Sequence, residues 1–262
     1  MSGEINVVNP DKPKHILMVI SNPATSTTLG IPVGFWGAEL THAYHEFTEV
    51  GYKVTVASPS GGPCRLDAWS DPRDPSKYSY PDLITMGFIS TPELWALVEN
   101  TPRLADLTYD DYDAIVVVGG QGPMFTFRDN ADLKNAIKTF YEARKVTAAL
   151  CHGVAALIDV RLSDGSYLIT GKTMTGFANV EEEFADHYVG RKVMPWHIED
   201  AARERGANYI QGGRFKAFAV RDGRLMSGPR PGRRSPGRRA YHHLVAPSGV
   251  PQVPQPRGRL GA

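Results

Sequence analysis

The sequence predicts a three-layer α/β fold with a mainly parallel central sheet. Three observations carry that expectation. Short, nearly continuous apolar runs at residues 16–20, 114–118 and 146–150 end at turn residues or at Cys151, as strands buried on both faces do. Segments with helical spacing stand between them, the alternation of an α/β protein. The 262 residues, 42% hydrophobic and 22% charged, are enough to bury a core without disulfides or metals.

Taken in order, residues 16–20 form the first strand and stop at Ser21-Asn-Pro-Ala. Residues 36–50 read as a helix, with Trp36, Leu40, Ala43, Tyr44 and Phe47 on one face and Gly51 as the stop. A second strand at 53–58 closes at Pro59 and Gly61-Gly62. Residues 63–111 contain six prolines and one expected short helix at 92–98. That stretch is too long for a plain loop and reads as an insertion over the sheet, near the active site. The strand at 114–118 enters Gly119-Gly120, a helix covers 132–144, and the strand at 146–150 runs straight into Cys151. Residues 154–160 then read as helical. A strand at 173–177, a helix at 195–206 opened by Pro195, and a strand pair at 216–220 and 225–227 turning at Asp222-Gly223 complete the body.

Residues 1–227 therefore form one α/β domain, and 228–262 a tail. The tail holds seven Pro and seven Arg with no Lys, Asp or Glu. Such composition cannot offset its ordering entropy, so disorder is expected. Against a net charge of +1, those seven arginines leave −6 on residues 1–227. The tail could touch polyanions nonspecifically, yet no recognition motif accompanies it, so no specific nucleic-acid partner is expected. No apolar run reaches the ~20 residues a bilayer span needs, and residues 1–14 hold no apolar signal core. Two cysteines, Cys64 and Cys151, fit a reducing compartment rather than a disulfide scaffold. The expectation is a cytoplasmic protein without membrane contact.

The chemistry points to Ala148-Ala-Leu-Cys151-His152-Gly153-Val-Ala-Ala-Leu157. A buried strand, a nucleophile and a helix in immediate succession form a nucleophile elbow. The turn presents the sulfur at the carboxyl edge of the sheet, where open α/β sheets bind ligands. A helix N-terminus behind it favours thiolate. Making thiolate dominant at pH 7 takes about 2.7 kcal/mol, two pKa units. A helix terminus supplies about 0.3–1 kcal/mol, so further donors or cations are required. An inert buried cysteine is the competing reading.

With those residues in hand, the chain resembles the PfpI/ThiJ superfamily of class I glutamine-amidotransferase-like proteins. Within it, the resemblance is to the branch of heat-shock-type chaperones and glutathione-independent glyoxalases. The matching pieces are Gly34-Phe-Trp-Gly-Ala-Glu39-Leu, Ala57-Ser-Pro-Ser-Gly-Gly62, Asp67-Ala-Trp-Ser70, Val118-Gly-Gly-Gln-Gly122, Ala149-Leu-Cys-His-Gly153 and Thr175-Gly-Phe-Ala-Asn-Val-Glu-Glu-Glu183. They occur in family order across roughly residues 15–227. The resemblance implies a flavodoxin-like sandwich with Cys151 as nucleophile, His152 as base or acid, and Glu39 as the acid beside the sulfur. It takes the triad's acid from Glu181-Glu182-Glu183, with Glu182 preferred and Glu181 second. It assigns an oxyanion hole to Gly120 and the His152 N–H, with Gly119 and Gln121 at the pocket.

The implied reaction is glyoxalase III-type conversion of methylglyoxal to lactate, without glutathione, metal or other cofactor. Other thiol hydrolase, hydratase or deglycase chemistry, and a stress-response holdase or redox sensor, are the alternatives. Relatives are often dimers, so a homodimer is allowed. Gln121 stands where many of this branch have His, and Ala43 where they often have Pro. After Leu225-Met-Ser-Gly228 relatives continue into a final helix, whereas Pro229-Arg-Pro-Gly-Arg-Arg follows here. His42-x-x-His45-Glu46 lacks a third ligand in register and reads as a polar helix face, not a zinc site. Cys64 has no Cys-x-x-Cys partner and reads as a plain thiol.

Overall fold

The structure is a computed structural model and describes residues 14–216 and 218–228. Apart from Gly228, the predicted tail lies outside the described residues.

The chain opens with β1 (His15–Val19), then an antiparallel pair, β2 (Ala24–Thr25) and β3 (Pro32–Val33), then α1 (Gly37–Glu49) and β4 (Lys53–Ala57). The 63–111 stretch holds two helices, α2 (Leu83–Ser90) and α3 (Pro92–Glu99), with short 3₁₀ turns on either side. Then come β5 (Ala114–Val117), α4 (Pro123–Thr126), α5 (Ala131–Glu142) and β6 (Val146–Leu150). The last third carries β7 (Thr173–Met174), α6 (Asn179–Val189), α7 (Ile198–Glu204) and β8 (Asn208–Tyr209). It closes with β9 (Val220–Asp222) and β10 (Leu225–Gly228).

Six strands form the central sheet in the order β4-β1-β5-β6-β10-β9. Every pairing is parallel except β9 with β10. Side chains alternate along each strand, so each face buries its own set. Leu17, Val19, Ile115, Val117 and Ala149 pack with Leu133, Ile137 and Phe140 of α5 on one face. Ile16, Met18, Val116, Val118 and Leu150 pack with Leu40, Ala43 and Phe47 of α1 and Phe88 of α2 on the other. These are the three layers the apolar runs predict.

Register then positions the site. Val19 lies opposite Val117, and Val117 opposite Ala149. Gly119 and Cys151 each sit two residues further on, so both emerge level at the carboxyl edge of the sheet.

Five local expectations need correction, one of them the helix expected to open at Pro195, which spans only Ile198–Glu204 with His197 at its N-cap. Cys151–Leu157 winds as a 3₁₀ helix, not an α-helix. Every residue of it is buried, and Gly153 presses against β5: a Cβ there would lie 2.7 Å from the Val117 carbonyl oxygen and 2.8 Å from that of Val118. Helix α2 was not expected, because its eight residues include Gly87 and lack a clean apolar stripe; Asp82 caps it by accepting from the Thr85 N–H at 3.1 Å. The expected strand at 173–177 reduces to Thr173–Met174, paired with β8 in a separate two-stranded sheet. Thr175 leaves that ladder because its N–H donates to the Ser227 hydroxyl at 2.8 Å. The strand expected at 216–220 begins only at Val220. Among the described residues no helix is long and apolar enough to cross a membrane.

The Gly153 contact gives a direct stability test. Gly153→Ala is expected to cost about 1–3 kcal/mol through overpacking, read as a lower urea midpoint at unchanged slope; an unchanged midpoint would contradict the close packing.

Candidate active site

Strand β6 delivers Cys151 with φ +51. A non-glycine residue there carries strain on the order of 1–3 kcal/mol and persists only when its surroundings over-determine it. Here the turn is held by close packing, of Gly119 against Cys151 and of Gly153 against the Val117 and Val118 carbonyls. The Cys151 Sγ lies 3.6 Å from His152 Nδ1. The other ring nitrogen, Nε2, lies 2.9 Å from Glu182 Oε1. Phe177 stacks on the imidazole at 4.1 Å, 27° from parallel, and limits its rotation. Sulfur, imidazole and carboxylate thus form one line, with Cys151 2%, His152 5% and Glu182 1% exposed.

Neighbouring glutamates on α6 serve different partners. Glu182 faces His152, whereas Glu181 turns back to accept from the Ala178 N–H at 2.9 Å and the Phe215 N–H at 2.8 Å. Burial alone would push the imidazole down; Glu182, then Glu39 and Asp67, override it and hold the ring above its ordinary range. A ring held in this way would, when protonated, favour thiolate on the adjacent sulfur by charge. The resulting linkage has a definite sign: this pair stabilises the fold below the unfolded histidine pKa of about 6.5. The contribution is lost as pH rises through the raised folded value.

Glu39 lies in the first turn of α1 and is fully buried, facing the sheet with Leu40 and Ala43. Its Oε2 accepts from the Gly119 N–H at 2.7 Å. A Cβ on Gly119 would stand 2.7 Å from Glu39 Oε2 and 2.8 Å from Cys151 Cβ. The carboxyl group and the cysteine therefore flank one backbone point, and only glycine fits between them. Gly120 follows at φ +109, where a side chain would strike the Trp36 nitrogen and the Asp67 carboxylate. The Gln121 N–H donates to Asp67 Oδ2 at 2.5 Å. Its Oε1 is buried with no hydrogen-bond partner among the described residues.

The profile of the DJ-1/PfpI family matches residues 29–233. The chain belongs to the DJ-1/PfpI family.

Among the relatives of this DJ-1/PfpI protein is Glyoxalase 3 of Candida albicans, 29% identical over 224 residues, covering 83% of this chain and 92% of that protein. The glutathione-independent glyoxalase HSP31 of Saccharomyces cerevisiae is 26% identical, with 84% and 92% covered. Among solved structures, the Rapid Encystment Protein 24 KDa of Francisella tularensis superposes with a TM-score of 0.78 at 28% identity. That match covers 88% of this chain and 97% of the other.

Within this DJ-1/PfpI chain, Asp67 is the site residue for which sequence reading found no role. It sits in a Pro- and Gly-rich stretch, where a lone Asp reads as a turn former; only its place in a family-like piece marked it. Residues discounted from sequence are engaged elsewhere. His42 Nε2 pairs with Asp82 Oδ1 at 2.8 Å, joining α1 to the cap of α2. Cys64 is buried, and burial pushes its thiol up against the opposing hydrogen bonds of Ser58 and Thr101. It borders a cavity of about 490 Å³ with Arg65, Leu66 and Trp95, which none of Cys151, His152, Glu39 or Glu182 lines.

Proposed function

We propose that the protein is a cysteine-dependent, glutathione-independent glyoxalase that converts methylglyoxal to lactate. The observation that carries this reading is the Cys151–His152–Glu182 line with Glu39 across Gly119. A nucleophile, an oriented imidazole and a separate buried acid are what an intramolecular hydride-equivalent shift through proton transfers requires. The relatives named as glyoxalases support the same reading.

In the proposed course, the Cys151 thiolate adds to the aldehyde carbon and forms a hemithioacetal. Backbone N–H groups of Gly120 and His152 would stabilise the oxyanion; each such donor lowers a barrier by about 2.7–4 kcal/mol. Glu39 or His152 removes the proton from the former aldehyde carbon, and the resulting enediol takes a proton at the neighbouring carbon. The product is a lactoyl thioester on Cys151. Water then cleaves it, releasing lactate and restoring the thiol, so the sum is methylglyoxal plus water to lactate and a proton. No external oxidant or reductant enters.

Hydrolase and deglycase chemistry would use the same thiolate, but the low exposure of Cys151 and His152 favours a small free aldehyde over a side-chain adduct. The test is lactate production from methylglyoxal by purified protein without glutathione; no lactate above the blank would sink the proposal. The two glutamates give a sharper contrast. Glu182→Gln is expected to lower kcat roughly 10²–10⁴-fold by releasing the ring. Glu181→Gln should leave kcat nearly intact and cost about 1–3 kcal/mol of stability, because one carbonyl oxygen cannot serve both the Ala178 and the Phe215 amides. Equal kcat losses in both variants would contradict the assignment.

A further inference from the structure

We propose that Asp67 is a positioning residue whose carboxylate clamps the lead into α1 to the loop carrying Gly120, holding Glu39 in register with the oxyanion donors. The proposal rests on the glyoxalase reading for its kinetic consequence, and on geometry alone for the clamp itself.

Asp67 is 1% exposed and sits in the 63–111 stretch, between the two segments it joins. Its Oδ1 accepts from the Gly34 N–H at 2.8 Å and its Oδ2 from the Gln121 N–H at 2.5 Å. Its own N–H donates to the Phe35 carbonyl at 2.8 Å. The same two segments are also laced directly: the Trp36 N–H donates to the Gly119 carbonyl at 2.9 Å and the Gly122 N–H to the Gly34 carbonyl at 2.8 Å. One segment continues within a few residues to Glu39, and the other contains Gly119 and Gly120. With each oxygen engaged by a backbone amide, Asp67 acts through the two loops rather than on a substrate.

The residue type matters because two N–H donors converge on it. An ionised carboxylate accepts both; asparagine has one acceptor oxygen and would turn its NH₂ against the second donor. Burial raises the Asp67 carboxyl to about 6, against the lowering pull of the Gly34 and Gln121 amides, His152 and Arg65. His152 and the exposed Arg65 are the charged groups facing it, while Glu39 from α1 and Glu182 from α6 face the same imidazole. Above that pH the carboxylate holds both loops. Below it, the proton occupies one oxygen and an amide bond is lost.

The experiment compares wild type with Asp67→Asn by amide hydrogen exchange of the peptides covering Gly34 and Gln121, and by kcat and KM for methylglyoxal between pH 5 and 8. Exchange at those peptides should accelerate roughly 10- to 100-fold, the loss of a charge-assisted hydrogen bond, while β1 and β5 stay protected. The kcat should fall by a similar factor with KM little changed, and the wild-type acid limb near pH 6 should disappear. Unchanged exchange at Gly34 and Gln121 overturns the clamp, whether or not methylglyoxal is turned over. Accelerated exchange with wild-type kcat and pH profile overturns the positioning role. A wild type that makes no lactate defeats the glyoxalase reading, and exchange still decides the clamp. If the variant does not fold, the wild type decides alone: protection at Gln121, corrected for intrinsic rate, must drop below pH ~6 as the carboxylate is protonated.

Discussion

Cys151→Ser is expected to abolish the proposed lactate formation, with a loss on the order of 10⁴-fold or more in kcat. A serine hydroxyl has the size and reach of the thiol but is not ionised near neutral pH. The adjacent imidazole, 3.6 Å away, favours a thiolate by charge, whereas an alcohol would need complete proton removal during attack. The same reasoning orders the two cysteines by reactivity. An unperturbed thiol is only a few per cent thiolate at pH 7, and burial pushes Cys64 further toward the neutral form. Iodoacetamide at pH 6.5 should therefore modify Cys151 well before Cys64, read by peptide mass mapping. Retained turnover in Cys151→Ser, or first modification at Cys64, would remove the nucleophile from the proposal.

The second large effect is at Glu39. Glu39→Gln keeps the volume of the side chain and leaves a carbonyl oxygen to accept from the Gly119 N–H, so the fold should persist. What is lost is a group able to take and return a proton beside the hemithioacetal. General acid–base catalysis contributes roughly 10²–10⁴-fold, and kcat should fall by that factor with KM and melting temperature nearly unchanged. Addition of the aldehyde to Cys151 should survive, because it does not need Glu39. Mass spectrometry after borohydride trapping should then detect a carbonyl adduct on the variant. A kcat within about threefold of wild type would place the proton transfer wholly on His152.

Much of this candidate site is legible in the sequence, and the reason is local. Strand, nucleophile and turn are contiguous at 146–153, so apolar run, Cys-His-Gly and strand end stand together in the chain. Glu39 was legible as a helix-start acid, though its buried orientation depends on α1 packing its Leu40 face on the sheet. The helix after Cys151 differs in winding for a physical reason: Val154 to Leu157 has helical composition, which does not distinguish 3₁₀ from α. Helix α2 has no clean apolar stripe to mark it, and only its docking through Phe88 and Ile89, with the Asp82 cap, reveals it.

The sequence by itself determined the alternating architecture, the strand ends on which the chemistry sits, and the residue types available there. Those follow from side-chain periodicity and turn chemistry, which act over a few neighbouring positions. Tertiary structure alone decided which carboxylate each group meets. Successive residues on a helix differ by about 100° in direction, so Glu181 and Glu182 cannot be told apart until α6 is docked against His152. Asp67 belongs to the site only because the 63–111 stretch folds back across the loops at Gly34 and Gln121, an encounter between segments more than thirty residues apart. No local pattern encodes it.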